Sequence, residues 1–186
     1  LFVYFSYNNL KYWSTKMKMI TNLNFRTITS GITLPEESWL IYRDECEDTD
    51  FDAAKSTFVE YSYPDVTMLV IKNDINFCLK SFLNDHKEKI KEEMEGYEYA
   101  NTLVAHYKLN DYQIIYIASD DSFDFEIATF LENYFVENNI EIVKDFSVSH
   151  FNLCKEHFKL ETDFFQVYFD NDEFNINLMR ELFNYK

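Results

Sequence analysis

The order of patterned segments predicts an α+β fold with a ferredoxin-like βαββαβ core at about residues 66–148. Three observations carry that expectation. Two β-branched and aromatic runs flank Asn110-Asp111, two stretches of helical apolar spacing open at Asn or Asp residues, and short apolar runs stand before the first stretch and after the second. In that plan two helices cover one face of a four-stranded antiparallel sheet, and right-handed crossovers set the strand order.

Each element has its own local reason. Ser38 to Arg43 and Ser56 to Tyr63 cluster β-branched and aromatic residues, which predicts two extra N-terminal strands joined by the acidic stretch Asp44 to Asp52. Tyr63-Pro64-Asp65 punctuates the chain, and Val66 to Lys72 is long enough only for a strand. After Asn73 or Asp74, a natural N-cap, Ile75, Leu79, Phe82, Leu83, His86, Ile90 and Met94 fall at helical spacing until Gly96 ends the run. Thr102 to Leu109 and Tyr112 to Ser119 predict an antiparallel hairpin, because Asn110-Asp111 tolerates the positive φ of a tight turn. Asp121 or Ser122 then caps a helix with Phe123, Ile127, Phe130, Leu131 and Tyr134 on one face and Asn138-Asn139 at its end. Ile140 to Val148 returns as a strand. Beyond it, Phe151, Cys154 and Phe158, an extended Phe164 to Phe169 and a helix bearing Phe174, Leu178, Leu182 and Phe183 predict a C-terminal strand and helix extension packed on the core.

Charge divides the chain. Residues 1–35 contain no acid and four bases, Lys11, Lys16, Lys18 and Arg26, whereas the remaining 151 residues hold 13 bases and all 33 acids. This predicts a basic, partly disordered N-terminal extension over 1–35 and a single acidic α+β domain over 36–186. No sustained periodicity runs from Leu1 to Lys18, so two readings stand: an upstream extension with the native start at Met17 or Met19, or a basic arm that docks on the acidic body. A surface this anionic repels nucleic acid and anionic membrane and steers basic partners toward it.

A chain of 186 residues with 47% hydrophobic content can bury a sizeable core. No apolar run approaches the roughly 18 residues of a membrane helix, and Leu1 to Phe5 lacks the flanks of a secretory signal. Three cysteines, Cys46, Cys78 and Cys154, with no close pair, fit a reducing compartment, which predicts a cytoplasmic protein. The 19% aromatic content matches residue types that AT-rich coding overproduces and does not by itself imply a stacking platform.

Catalytic constellations are scarce. Asp48-Thr49-Asp50-Phe51-Asp52 mimics the alternating ligands of an EF-hand, yet the turn glycine is absent and Val59 stands where the bidentate glutamate belongs. His150, Cys154 and His157 have helical spacing but no fourth ligand. His86 lies on an apolar helix face and reads as a satisfied core histidine, His106 alternates with Val104 and Lys108 and is expected at the surface, and Cys78, beside Leu79, is expected to be buried and inert. Two glycines supply no phosphate loop. Asp120-Asp121 is the best acid pair, and an N-cap on the helix dipole accounts for both. The sequence therefore predicts no catalytic residue, no metal ligand and no cofactor.

Glu37-Ser38-Trp39-Leu40-Ile41-Tyr42, the hairpin at 101–119 leading into an acid-capped helix, and Glu161-Thr162-Asp163-Phe164-Phe165-Gln166-Val167-Tyr168 resemble stations of a bacterial domain-of-unknown-function family numbered 695. That family is related to the regulator of ribonuclease E activity, protein B, an acidic ferredoxin-like protein that inhibits by binding. The resemblance covers roughly residues 36–169, with Phe164 or Phe165 in place of the family's Trp. It implies a non-catalytic, regulatory binding role.

The expected function is thus a non-enzymatic cytoplasmic regulatory or interaction domain. Its expected contact residues are Asp44, Glu45, Glu47, Asp48, Asp50 and Asp52, six carboxylates in nine residues, and its expected partner is a basic protein. A solvated connecting loop is the plainer account of the same run. Two alternatives stay open: an anionic inhibitor or immunity protein that neutralises a basic toxin or nuclease, and a metal-dependent hydrolase. A homodimer through the sheet face left free by the helices is the further expectation about assembly.

Overall fold

A computed structural model describes residues 16–20, 34–44, 48–59, 65–97, 100–109, 111–120 and 123–148. They form an α+β unit with a six-stranded antiparallel sheet and four helices. In chain order these are β1 (Lys16–Ile20), β2 (Ser38–Asp44), α1 (Asp48–Val59), β3 (Asp65–Lys72), α2 (Leu79–Asp85), α3 (Lys87–Met94), β4 (Thr102–Lys108), β5 (Tyr112–Ser119), α4 (Phe123–Glu137) and β6 (Ile142–Val148). Across the sheet the order is β1-β2-β4-β5-β3-β6.

The hairpin of β4 and β5 closes as its turn residues predict. Lys108 pairs with Gln113, and the Leu109 amide donates to the Tyr112 carbonyl at 2.8 Å, so the two strands stay paired up to residues 109 and 112. β3 enters between β5 and β6 and is buried along both faces, as a central strand of Val, Met, Leu and Ile should be. One face of the sheet meets α2, α3 and α4 through a single apolar cluster in which Leu69, Ile115 and Ile117 touch the layer of Phe82, Ile127 and Leu131.

α4 ends where the paired asparagines predict. Asn139 adopts φ 55°, the left-handed conformation that asparagine tolerates, the Ile140 amide donates to Phe135 at 2.8 Å, and the Asn139 amide donates to Val136 at 3.2 Å. That pair of bonds is a Schellman motif and satisfies carbonyls the helix end would leave open.

Three expectations are corrected. Residues 48–59 form a helix, where an acidic loop followed by a strand from Ser56 was expected. Phe51, Ala54 and Phe58 lie at spacings of three and four, Ala54 and Phe58 are buried, and the Phe51 ring packs 6.1 Å from that of Tyr42 on β2. This helical stripe overrides the β propensity of Thr57, Phe58 and Val59. The second extra strand of the sheet is instead β1, within the stretch read as lacking periodicity. It pairs along β2 from Lys16 with Asp44 to Ile20 with Leu40, and Met17 joins the core.

The stretch from Ile75 to Met94 is two helices, not one beginning at Asn73 or Asp74. Residues 73–78 are held as a turn, Cys78 takes the N-cap position of α2, and the chain bends at His86 with φ −101° and ψ 4°. The apolar stripe is nevertheless the expected one, with Leu79, Phe82, Leu83, Ile90 and Met94 all buried.

The face opposite α2 to α4 had two readings, a dimer interface or a face filled by the added N-terminal strands and C-terminal segment. Its side chains, including Leu40, Met68, Val70, Leu103, Ile114 and Tyr116, are buried within the single chain. Burial pushes the Tyr107 and Tyr116 phenols well above their usual range, so both stay neutral. The expected C-terminal extension and most of residues 1–35 lie outside the described residues.

Candidate functional site

The acidic run divides between elements. Asp44 closes β2, Glu45 and Glu47 lie outside the described residues, and Asp48, Asp50 and Asp52 occupy the first turns of α1. Carboxylates there face the positive end of the helix dipole, which is worth about 0.3–1 kcal/mol for each well-placed group. At 100° per residue, positions 48 and 50 stand about 160° apart around the helix axis, so the EF-hand-like spacing cannot wrap a cation. Among the described residues no group of three or more His, Cys, Asp or Glu side chains could hold a metal ion. Asp52 is exposed and Asp50 half-buried. Of the described part of the run, Asp44 ends a strand and Asp48, Asp50 and Asp52 stand in a helix.

His106 is not at the surface. It is 2% exposed, its Nδ1 lies 2.8 Å from Glu37 Oε2, and its Nε2 lies 2.9 Å from Gln113 Oε1. The Gln113 amide nitrogen donates to the carbonyls of Lys72 at 3.1 Å and Ile75 at 2.6 Å, which fixes the amide with its oxygen toward His106. The ring thus sits between a carboxylate oxygen and an amide oxygen, each within hydrogen-bond distance of one ring nitrogen. The Phe77 ring packs edge-on against it, 5.3 Å between centroids. Both ring nitrogens of His106 are engaged within the fold. It joins Glu37 before β2, β4, β5 and the turn after β3, and the locked carbonyls explain why residues 73–78 do not begin the helix. Its alternation with buried Val104 carried the inward signal; exposed Lys108 at the strand end misled it.

Asp124 forms a second buried polar unit. Thr67 Oγ1 donates to Asp124 Oδ2 at 2.6 Å and Ser119 Oγ to Oδ1 at 3.0 Å, while the Asp124 amide donates back to Ser119 Oγ at 2.9 Å. Ser119 thereby serves the opening turn of α4; Asp121 and Ser122, the expected caps, lie outside the described residues. Burial raises the Asp124 carboxyl above its usual range, the two hydroxyls oppose that shift, and the Asp65 carboxylate adds to it. Asp120, the other half of the expected pair, accepts from Asn101 Nδ2 at 2.8 Å.

Cys78 is exposed, which corrects the expectation that it is buried. The Ser81 hydroxyl donates to its sulfur at 3.4 Å, and hydrogen bonds from Ser81 draw the thiol below its usual range against the opposing charge of Glu37. Near this turn, Lys72, Asn73, Asp74, Asp111 and Tyr112 line an open groove of about 510 Å³. His86 is partly buried as expected, donating from Nδ1 to the Phe82 carbonyl at 2.9 Å and stacking on that ring at 4.3 Å. His150, Cys154 and His157 lie outside the described residues.

The outer face of α4 differs from the rest of the surface. Phe125 is 62% and Val136 73% exposed, the two exposed large hydrophobics among the described residues. From Phe123 to Val143 the chain holds five acids and no Lys or Arg. Burial, and after it the Asp145 carboxylate, raise the Glu132 carboxyl above its usual range. Sequence reading took α4 by its inward face and missed this one; Phe125 was the legible exception, out of phase with the apolar stripe.

Comparison with protein-family models, with curated proteins and with solved structures finds no match.

Proposed function

We propose that this chain is a non-enzymatic regulatory or interaction domain that binds a basic protein through its acidic surface. The observation that carries the reading is that two polar units of the interior, around His106 and around Asp124, make their hydrogen bonds within the fold. His106, Glu37 and Gln113 saturate each other, as do Asp124, Thr67 and Ser119, so the groups most suited to proton transfer are engaged in holding the fold. The formal charge of −16 lies over that closed interior and favours fast association with cations. Asp44, Glu45, Glu47, Asp48, Asp50 and Asp52, six carboxylates in nine residues of sequence, are the proposed contact residues.

The same charge supports a second reading, an anionic inhibitor that occupies a basic active site. The ferredoxin-like reading of the core is supported by the order β4-β5-β3-β6, in which the two hairpin strands and the two crossover strands are mutually antiparallel. The resemblance to family 695 is compatible with this function and does not carry it. No helix among the described residues is long and apolar enough to cross a membrane.

The test is binding of the full chain to a panel of defined basic and acidic proteins of equal size at about 0.05 M and about 0.3 M salt. The reading predicts that basic members bind at low salt and weaken strongly at high salt. Equal binding to acidic members, or none to basic ones, contradicts it.

A further inference from the structure

We propose that the outer face of α4 is the docking seam for a basic amphipathic helix of a partner protein. The inference rests on the binding role above and names the surface that performs it.

Phe125, Thr129, Glu132 and Val136 are spaced by four, three and four residues. That is the alternation of a heptad seam, which a second helix covers with its own apolar positions. At 100° per residue, Phe125 and Val136 differ by about 20° around the axis and lie about 16 Å apart along it, so they form two anchors on one line. Single exposed hydrophobics need no explanation, but two aligned on one helix face, and no others among the described residues, form a strip.

Charge selects the occupant. Glu132 lies between the anchors and is half-buried, Glu137 and Glu141 are exposed at the C-terminal end, and no base lies on α4 to balance them. A neutral or acidic helix set on this strip would bring Glu132 out of water uncompensated. A helix with Leu or Met on one face and Lys or Arg flanking it supplies both the apolar contact and the countercharge. The alternation of apolar ends and an acidic middle therefore fits a basic amphipathic helix better than an extended basic segment, which would leave Phe125 and Val136 in water.

The test uses the full chain and a labelled helical peptide of about 20 residues with Leu at seam positions and Lys or Arg elsewhere, against a scrambled peptide of the same composition, followed by fluorescence anisotropy. The proposal predicts that the amphipathic peptide binds at least about tenfold more tightly than the scrambled one. It also predicts that the Phe125→Ser/Val136→Ser double variant loses that difference, and that Glu132→Lys weakens binding. Both positions are exposed, so the variants should keep the wild-type circular dichroism and thermal midpoint. Asp50→Asn/Asp52→Asn should weaken binding by less than about threefold, through long-range charge alone. Loss in that variant with none in the Phe125/Val136 variant overturns the seam and leaves the binding role standing. Equal binding of both peptides also overturns the seam. A dimer of the chain that Phe125→Ser/Val136→Ser dissolves overturns it as well, by making this strip a self-contact. No binding of either peptide overturns the seam, and the panel of basic proteins then decides the binding role separately.

Discussion

His106 Nε2 faces the side-chain oxygen of Gln113 at 2.9 Å, and the two carbonyls held by the Gln113 nitrogen prevent the amide from turning to offer anything else. The histidine thus ties β4 to β5 and to Glu37, whose Oε2 lies 2.8 Å from its Nδ1. Replacing it by leucine leaves the buried Gln113 oxygen without the ring nitrogen, while Glu37 keeps the Lys80 amide at 3.2 Å. We expect His106→Leu to lower unfolding free energy by about 2–3 kcal/mol, measured by urea titration. Glu37→Gln keeps an acceptor at Nδ1 and should cost less, about 1 kcal/mol. A His106→Leu loss below that of Glu37→Gln would mean that the clasp contributes nothing.

Much of the sheet was legible in the sequence because its strands carry local signals. Asn110-Asp111 sets the hairpin, and the apolar runs 66–72 and 112–119 admit nothing but buried strands. The boundary errors have tertiary causes. Residues 73–78 carry good helix-starting residues, but the side chain of Gln113, 38 residues further on from Ile75, holds their carbonyls in a turn. Residues 56–59 carry β-branched and aromatic types, and what makes them helical is the contact of Phe51 and Phe58 with the sheet. β1 is five residues long with Lys at two positions, too short for a pattern; it exists because β2 offers it an edge. The acidic run was visible as composition, but its division between a strand end and a helix start was not.

The helical character of residues 48–59 has a direct consequence. A strand would put positions 51 and 54 on opposite faces, whereas the helix brings Phe51, Ala54 and Phe58 to one side. Phe58→Ala should cost about 3–5 kcal/mol by removing a fully buried ring. Lys55→Pro should cost at least about 3 kcal/mol and reduce the helical signal in far-ultraviolet circular dichroism. An unchanged helical signal in the proline variant would contradict the assignment.

Asp124 couples stability to pH. Its folded carboxyl is raised by burial, so the proton binds more tightly in the folded state than in the unfolded one. The resulting stabilisation is fully present below the ordinary aspartate range and is lost as pH rises through the elevated folded value. Asp124→Asn removes this term. The stability of wild type relative to the variant should therefore fall between acid and neutral pH, as read by thermal unfolding at several pH values. A relative stability that rises over that interval would mean that the Thr67 and Ser119 hydrogen bonds outweigh burial.

Cys78 provides a chemical readout of the turn. Because the Ser81 hydroxyl helps to draw the thiol down, Ser81→Ala should raise it and reduce the thiolate fraction at neutral pH. Alkylation of Cys78 by iodoacetamide, located by mass spectrometry of the peptide, should slow by about twofold to fivefold. An unchanged rate would show that the backbone at the start of α2 sets its reactivity alone.

The central claim is that an acidic, closed fold binds a basic helix along α4, and a nuclear magnetic resonance titration of the full chain with the basic amphipathic peptide tests it most directly. The Phe125 ring and the Val136 methyls should shift together and saturate at one peptide equivalent, while His106 and the groove at Asp74 and Asp111 remain unperturbed. Shifts centred on that groove or on α1, with Phe125 and Val136 unmoved, would contradict the account.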